Sequence, residues 1–257
     1  MAPKQRLYKW DNVSDVSCFE PEYGASRLLV ERFAQETDRY LEIYVGKSAN
    51  TDDLLDYDHQ GRTILQWSIS SPAQVASFEE GTDGMIERLE AARRCQEAGY
   101  IVRFRLSPII PVKDWREENR LLLTEMFSRT RPDVVSLCPF GWMDVETARR
   151  RLDFDLLDED FVRAMDAAAP FLRARGYTAG SGRPMPHDAR YVMLDFLIDE
   201  IQRLSPDTVI ALCLETEEMW RALGPRIGAS PRNYVCNCGP YCTPGDPLYD
   251  ASVPNTT

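Results

Sequence analysis

Two rhythms of apolar and polar residues run along the chain. Short runs rich in β-branched and aromatic residues recur at Tyr40–Val45, Thr63–Ile69, Ile101–Ser107, Val134–Cys138 and Thr208–Leu214. Their length and composition predict strands. Between them, apolar residues fall at helical spacing. Trp115, Asn119, Leu122 and Met126 stand at i, i+4, i+7 and i+11. Ile86, Leu89 and Ala92 mark a second helix that runs to the stop signal Ala98-Gly99. Tyr191, Leu194, Ile198 and Ile201 mark a long third, with Asp188 as its expected cap. Arg27–Phe33 and Phe161–Leu172 carry the same helical pattern.

Strands alternating with helices predict an α/β fold with a parallel sheet and crossover helices. An open doubly wound sheet and a barrel both satisfy the pattern. In either, chemistry gathers at the carboxyl ends of the strands. That rule selects Gly46-Lys47-Ser48, Ser68-Ile69-Ser70, Ser107-Pro108, Cys138-Pro139 and Glu215. The Gly- and Pro-rich stretch 180–187 reads as a loop. Residues 1–230 are expected to form the α/β unit. The Cys-, Pro- and Gly-rich residues 231–257 are expected to form a tail without regular structure.

Composition narrows the class. The chain has 257 residues, 44% of them hydrophobic, enough to build a substantial core. Thirty Lys and Arg against 41 Asp and Glu give a net charge of −11, which argues against a broad nucleic-acid footprint. No uncharged apolar run of about 18 residues exists to span a bilayer. The opening residues show no secretory h-region, so a cytoplasmic chain is expected. Seven cysteines, an odd number, then point to metal, catalytic or core thiols rather than a disulfide scaffold.

An ordered series of segments adds more. Gly61–Ser70 (Gly-Arg-Thr-Ile-Leu-Gln-Trp-Ser-Ile-Ser) is followed by Phe78-Glu79-Glu80-Gly81-Thr82, Arg88–Arg93, Ala98-Gly99-Tyr100 and Ser107-Pro108-Ile109-Ile110-Pro111. Ala211–Glu215 and Trp220 come later. From about Val16 to Trp220 this order resembles the radical S-adenosylmethionine (SAM) enzymes of the spore photoproduct lyase family. The resemblance implies a partial (β/α) TIM-type barrel. It also implies a 4Fe–4S cluster that cleaves SAM to a 5′-deoxyadenosyl radical, with damaged DNA or another small molecule as substrate. The family holds its cluster on a C-x-x-x-C-x-x-C loop after the first strand. No such motif exists here, and Cys238-x-x-x-Cys242 would need a cysteine where Gly245 stands. The expectation is therefore a barrel lacking its first strand and cluster loop, in a chain that starts at an internal methionine or has lost its amino-terminal part.

The resemblance also implies residue roles. Lys47 and Ser68 match the family's SAM-holding lysine and serine; read from position alone, they are a solvated loop residue and a satisfied strand-end hydroxyl. Cys18 stands near the family's hydrogen-donating cysteine, and Glu20 where the family has a SAM-binding serine. Glu79, Arg88 and Tyr100 match the pattern as scaffold, with Arg88 expected to pair with Glu79. Glu215, beside Cys213, is a candidate ligand contact. His187, Arg190 and Tyr191 offer acid–base or substrate contacts, or simply a turn before a helix.

Cys236, Cys238 and Cys242 fall within seven residues, and three thiolates at such spacing can wrap a soft metal or cluster. The opposite reading is a redox-labile tail. Two alternatives to the radical enzyme stay open. One is a non-catalytic subunit that binds SAM or a partner chain supplying the missing strand along the exposed sheet edge. The other is an unrelated hydrolase or isomerase using Glu215, His187 and Lys47. That reading lacks both a G-x-S-x-G elbow and a Gly-rich phosphate loop.

Overall fold

The computed structural model describes residues 5–12, 14–16, 20–174, 183–246 and 248–250. Six parallel strands lie side by side in chain order: β1 (Leu7–Trp10), β2 (Tyr40–Gly46), β3 (Thr63–Ile69), β4 (Ile101–Ile109), β5 (Val134–Pro139) and β6 (Val209–Leu212). Around them run α1 (Glu20–Tyr23), α2 (Ala25–Phe33), α3 (Pro72–Phe78), α4 (Met85–Glu97), α5 (Trp115–Arg129), α6 (Val145–Arg151), α7 (Glu159–Ala174), α8 (His187–Leu204) and α9 (Glu217–Leu223). The result is an α/β half-barrel with β1 and β6 as its edges.

All five strands expected from the pattern are present within two residues at each end. β1 is an addition: the pattern assigned no strand ahead of Tyr40, yet Leu7–Trp10 pairs in parallel with Tyr40–Ile43. Four residues alternating apolar and polar are too short to show a period. Strand alternation sorts the core. Leu41, Ile43, Leu65, Trp67, Phe104 and Leu137 face the helices, joining Leu89, Leu122, Met126 and Leu197 in one apolar cluster. α5 docks through Trp115, whose ring meets Phe161 of α7 and Phe196 of α8 edge-on, with centroids 5.5 and 5.1 Å away.

Three expectations are corrected in detail. Ile86 is exposed, and Met85 takes the core position instead. α8 starts at His187, so Asp188 lies in its first turn rather than capping it. The tail has regular structure: β7 (Asn233–Val235) and β8 (Leu248–Asp250) form an antiparallel pair. The tail also returns to the sheet. The Pro240 carbonyl accepts from the Arg6 and Leu7 amides at 3.0 and 2.9 Å, at the start of β1. Val235 and Cys242 pack with Leu7, Ile64, Val134 and Ala211 in a second cluster on the concave face. The open side of the half-barrel is thus covered by the chain's own last segment. Among the described residues no helix is long and apolar enough to cross a membrane.

α6 is set by its cap. The Asp144 carboxylate accepts from the Thr147 amide at 2.7 Å, satisfying one of the helix's free N–H groups. Asp144→Ala should lower stability by about 1 kcal/mol, read from the urea midpoint.

Candidate functional site

The alternate positions of each strand point into the concavity, so charges there must be matched by partners. Lys9 on β1, Glu42 on β2, Gln66 on β3 and Arg103 on β4 meet in its middle layer. Lys9 Nζ donates to Glu42 Oε1 at 2.5 Å and to Gln66 Oε1 at 2.7 Å. Arg103 donates to Glu42 Oε2 at 2.9 Å and, through Nε and Nη2, to both oxygens of Asp133 at 2.8 and 2.9 Å. Glu42 and Arg103 are fully buried.

One turn of side chains closer to the carboxyl ends lie Tyr44, Ser68 and Arg105. The Tyr44 hydroxyl and Ser68 Oγ are 2.6 Å apart, and the Arg105 guanidinium sits 5.6 Å from the Tyr44 ring centroid. Burial pushes the Tyr44 phenol pKa up, against the opposing pull of Ser68 and Arg105. Two arginines two residues apart in an otherwise apolar strand were the sequence signal for this inward face. Sequence reasoning passed over both.

Lys47 and Ser68 stand on the same rim, linked through two buried side chains. The bulge between Tyr44 and Gly46 ends β2, and Gly46 adopts φ +79°. A Cβ there would lie 1.6 Å from Asp15 Oδ1, so only glycine lets Asp15 reach the Lys47 amide, which donates to it at 3.2 Å. Lys47 Nζ then contacts Glu79 Oε1 at 2.8 Å. The other Glu79 oxygen accepts from Arg88 Nη2 at 2.8 Å, confirming the expected pair. Arg88 Nη1 donates to the Ser68 carbonyl at 3.3 Å. Ser70 and Gln74 also donate to Glu79, at 2.6 and 3.1 Å. Burial raises the Glu79 pKa, but bonds from Lys47, Ser70 and Arg88 outweigh it, and the carboxyl titrates below its ordinary range.

Across the concavity, a cavity of about 810 Å³ opens beside β5, β6 and the tail, lined by Asn12, Arg105, Ser136, Cys213, Glu215 and Cys238 among others. Arg105 Nη1 donates to Asn12 Oδ1 at 2.8 Å, and Asn12 Nδ2 donates to Cys238 Sγ at 3.1 Å. Asn237 Nδ2 donates to Ser136 Oγ at 2.6 Å. Glu215 holds Arg190 through two bonds, 2.9 and 3.1 Å long. Trp142 lies on the neighbouring rim, exposed and at φ +62°.

The remaining candidates separate. Cys18 lies outside the described residues. The Glu20 carboxylate is spent inside the scaffold, accepting from the Ser26 amide in the first turn of α2 at 2.5 Å. Tyr100 donates to the Leu54 carbonyl at 2.6 Å and stacks on His59, as scaffold. His187 begins α8, its Nδ1 3.9 Å from Glu218, and Tyr191 packs half-buried against the main core.

The tail cysteines do not converge. Cys238 Sγ accepts from Asn12 Nδ2 beside Cys236, whereas Cys242 donates to Asn237 Oδ1 at 3.8 Å and is buried in the second apolar cluster. The neighbouring Cys236 thiol, with Lys9 and Arg105 nearby, pulls the Cys238 thiol down to about 6, while burial pushes Cys242 up to about 11. Among the described residues no group of three or more His, Cys, Asp or Glu is placed to hold a metal ion. The three thiols are therefore not assembled as a cluster site.

Comparison with known proteins agrees with this architecture. The family model for spore photoproduct lyase matches residues 2–143. Spore photoproduct lyase of Bacillus subtilis (strain 168) is 29% identical over 133 residues, 52% of this chain and 39% of that protein. Spore photoproduct lyase of Geobacillus sp. (strain Y412MC61) is 36% identical over 85 residues, 33% of this chain and 25% of that protein. The chain thus matches well under two thirds of the length of these relatives. A solved spore photoproduct lyase complexed with dinucleoside spore photoproduct superimposes with a TM-score of 0.63 at 21% identity, over 82% of this chain and 62% of that one. A variant with bound AdoMet and the same dinucleoside gives 0.63 at 22%. At such identity the likeness is one of fold.

Proposed function

We propose, because the chain belongs to the spore photoproduct lyase family, that its half-barrel is the SAM- and lesion-binding part of a radical SAM lyase acting on damaged DNA. The observation that carries this reading is the shared rim of Lys47 and Ser68, tied together through Glu79 and Arg88. SAM presents a carboxylate, an ammonium and ribose hydroxyls. The Lys47 ammonium has three donors and is 22% exposed beside Glu79, so it can meet that carboxylate. The cavity of about 810 Å³ falls within the usual range for small-molecule sites of roughly 300–1,000 Å³. It suits a dinucleoside-sized lesion, with Arg105 for phosphate or carbonyl oxygens and Trp142 as a stacking face at the edge.

A 4Fe–4S cluster does not fit the described thiols, which offer no three-sulfur convergence. No step of SAM cleavage is therefore assigned to them. What these residues contribute is binding and orientation. The same observation favours a second reading, a non-catalytic SAM- or partner-binding subunit of this fold.

Equilibrium dialysis with labelled SAM tests the first step. Lys47→Ala should weaken SAM binding about tenfold or more, the loss expected when one charge-assisted hydrogen bond is removed. Equal affinity in the variant would overturn the rim assignment. Incubation of the protein with iron and sulfide, then dithionite and SAM, separates the two readings. Release of 5′-deoxyadenosine supports the enzyme. Retained SAM binding with no release supports the binding subunit.

A further inference from the structure

The rim carries a pair of thiols that SAM or lesion binding does not use. In β5 and β6, Leu137 is paired with Leu212, which sets Cys138 beside the residue that follows β6, Cys213. The Cys213 amide donates to the Leu137 carbonyl at 2.8 Å, so this register continues past the strand end. Neighbouring strands lie about 4.8 Å apart, and a disulfide accepts Cα separations of about 4.4–6.8 Å. Alternation puts both side chains on the concave side, with Ser136 and Ala211 two residues before them. Strand register thus makes the two thiols neighbours, each acting on the other's proton affinity. Arg105 Nη2 stands 3.9 Å from Cys213 Sγ. The two thiols differ in access: Cys138 is 1% exposed, whereas Cys213 lines the cavity.

We propose that Cys138 and Cys213 form a thiol–disulfide exchange site, at which a low-molecular-weight disulfide entering the rim cavity is reduced to two thiols while the pair closes into a cross-strand disulfide. Cys213 is the attacking sulfur, because it is the one an entering molecule meets. The pair holds one proton between two sulfurs. The neighbouring Cys213 thiol, aided by Ser107 and Arg105 against the opposing effect of burial, pulls the Cys138 thiol below its ordinary range, while Cys138 and burial push the Cys213 thiol up, so the anion of the pair rests on Cys138 until the proton is exchanged. The shared proton passes to Cys138, and the Cys213 thiolate attacks one sulfur of the disulfide. That S–S bond breaks, and the departing thiolate takes the proton from Cys138. Cys138 then attacks Cys213 Sγ and expels the second thiolate, which is protonated by solvent. Two electrons move from the pair to the reagent, and Arg105 stabilises each sulfur anion in turn.

Incubation of the full chain with glutathione disulfide, followed by alkylation, non-reducing digestion and mass spectrometry, tests the site without SAM or a cluster. The expected product joins the peptides of Cys138 and Cys213, lighter by two hydrogens. Cys138→Ser should trap glutathione on Cys213 as a stable mixed disulfide. Cys213→Ser should slow consumption of glutathione disulfide by these residues at least tenfold and leave Cys138 unmodified. Circular dichroism checks that each variant folds, and the wild-type peptide map stands whatever the variants do. A bond between Cys236 and Cys238 with Cys138 and Cys213 still open to alkylation under denaturation would overturn the proposal. So would a glutathione adduct that persists on wild-type Cys213 without closure.

Discussion

Glu42→Gln should remove about 3–5 kcal/mol of stability, a shift of roughly 10 °C in Tm for a chain of this size. The substitution keeps the side-chain volume, so no cavity is made and the loss is electrostatic. Glu42 is the one carboxylate shared by Lys9 Nζ and Arg103 Nη1, at 2.5 and 2.9 Å. Neutralising it leaves two cations facing each other in a layer where Arg103 and Glu42 are both fully buried. Arg103 keeps Asp133, but the Lys9 side chain, 11% exposed, loses its carboxylate and keeps the neutral Gln66 oxygen and the Tyr44 ring face. Lys9→Met in the same chain should recover most of the loss, because the surviving Arg103–Asp133 pair is then balanced. Urea denaturation of the single and double variants measures both effects. A loss below about 1 kcal/mol in the single variant would show that the layer does not depend on its charges.

Glu79→Gln should cost about 3 kcal/mol at neutral pH and abolish part of the acid sensitivity of the wild type. In the folded chain burial raises the Glu79 pKa, yet Lys47, Ser70 and Arg88 hold it below the ordinary carboxylate value of 4.5. A carboxyl whose folded pKa lies below its unfolded one stabilises the fold above the unfolded value. That contribution fades as pH falls through about 4.5 and through the lower folded pKa. Wild type and variant should therefore differ most near pH 7 and converge toward pH 3 in urea midpoints taken across that span. A constant gap at every pH would mean that the carboxylate charge is not what holds Arg88. The same variant releases Lys47 from its partner, so on the proposed role of the rim SAM affinity should fall along with stability. Glu79 is in this sense a positioning residue for the rim.

Both predictions concern residues whose identity is local but whose partners are not. The strands and helices were legible because their periods are properties of short segments. An apolar run of five to seven residues bounded by polar turns buries itself in a sheet wherever that sheet forms, and residues at i, i+4 and i+7 share one helical face in any context. The order of motifs from Gly61 to Pro111 likewise carried the family and its half-barrel, and with them the rim positions of Lys47 and Ser68. The Glu79–Arg88 pair was within reach because the two lie only nine positions apart in the chain.

What the chain closes on itself was decided elsewhere. β1 escaped notice because four residues show no period, and its pairing partner lies about thirty residues away. Asn12 and Cys238, 226 positions apart, meet only because the tail crosses the open side of the half-barrel. That crossing separates Cys242 from its two neighbours and buries it among apolar side chains, so three thiols close in sequence do not become three ligands in space. It also leaves Cys213 on the cavity wall beside Cys138, a pairing set by strand register rather than by spacing. Sequence by itself determined five of the six sheet strands, the long helices and the rim they share. Only the curl of the sheet and the return of the tail, which bury charge and sulfur together where water is excluded, determined which side chains face one another.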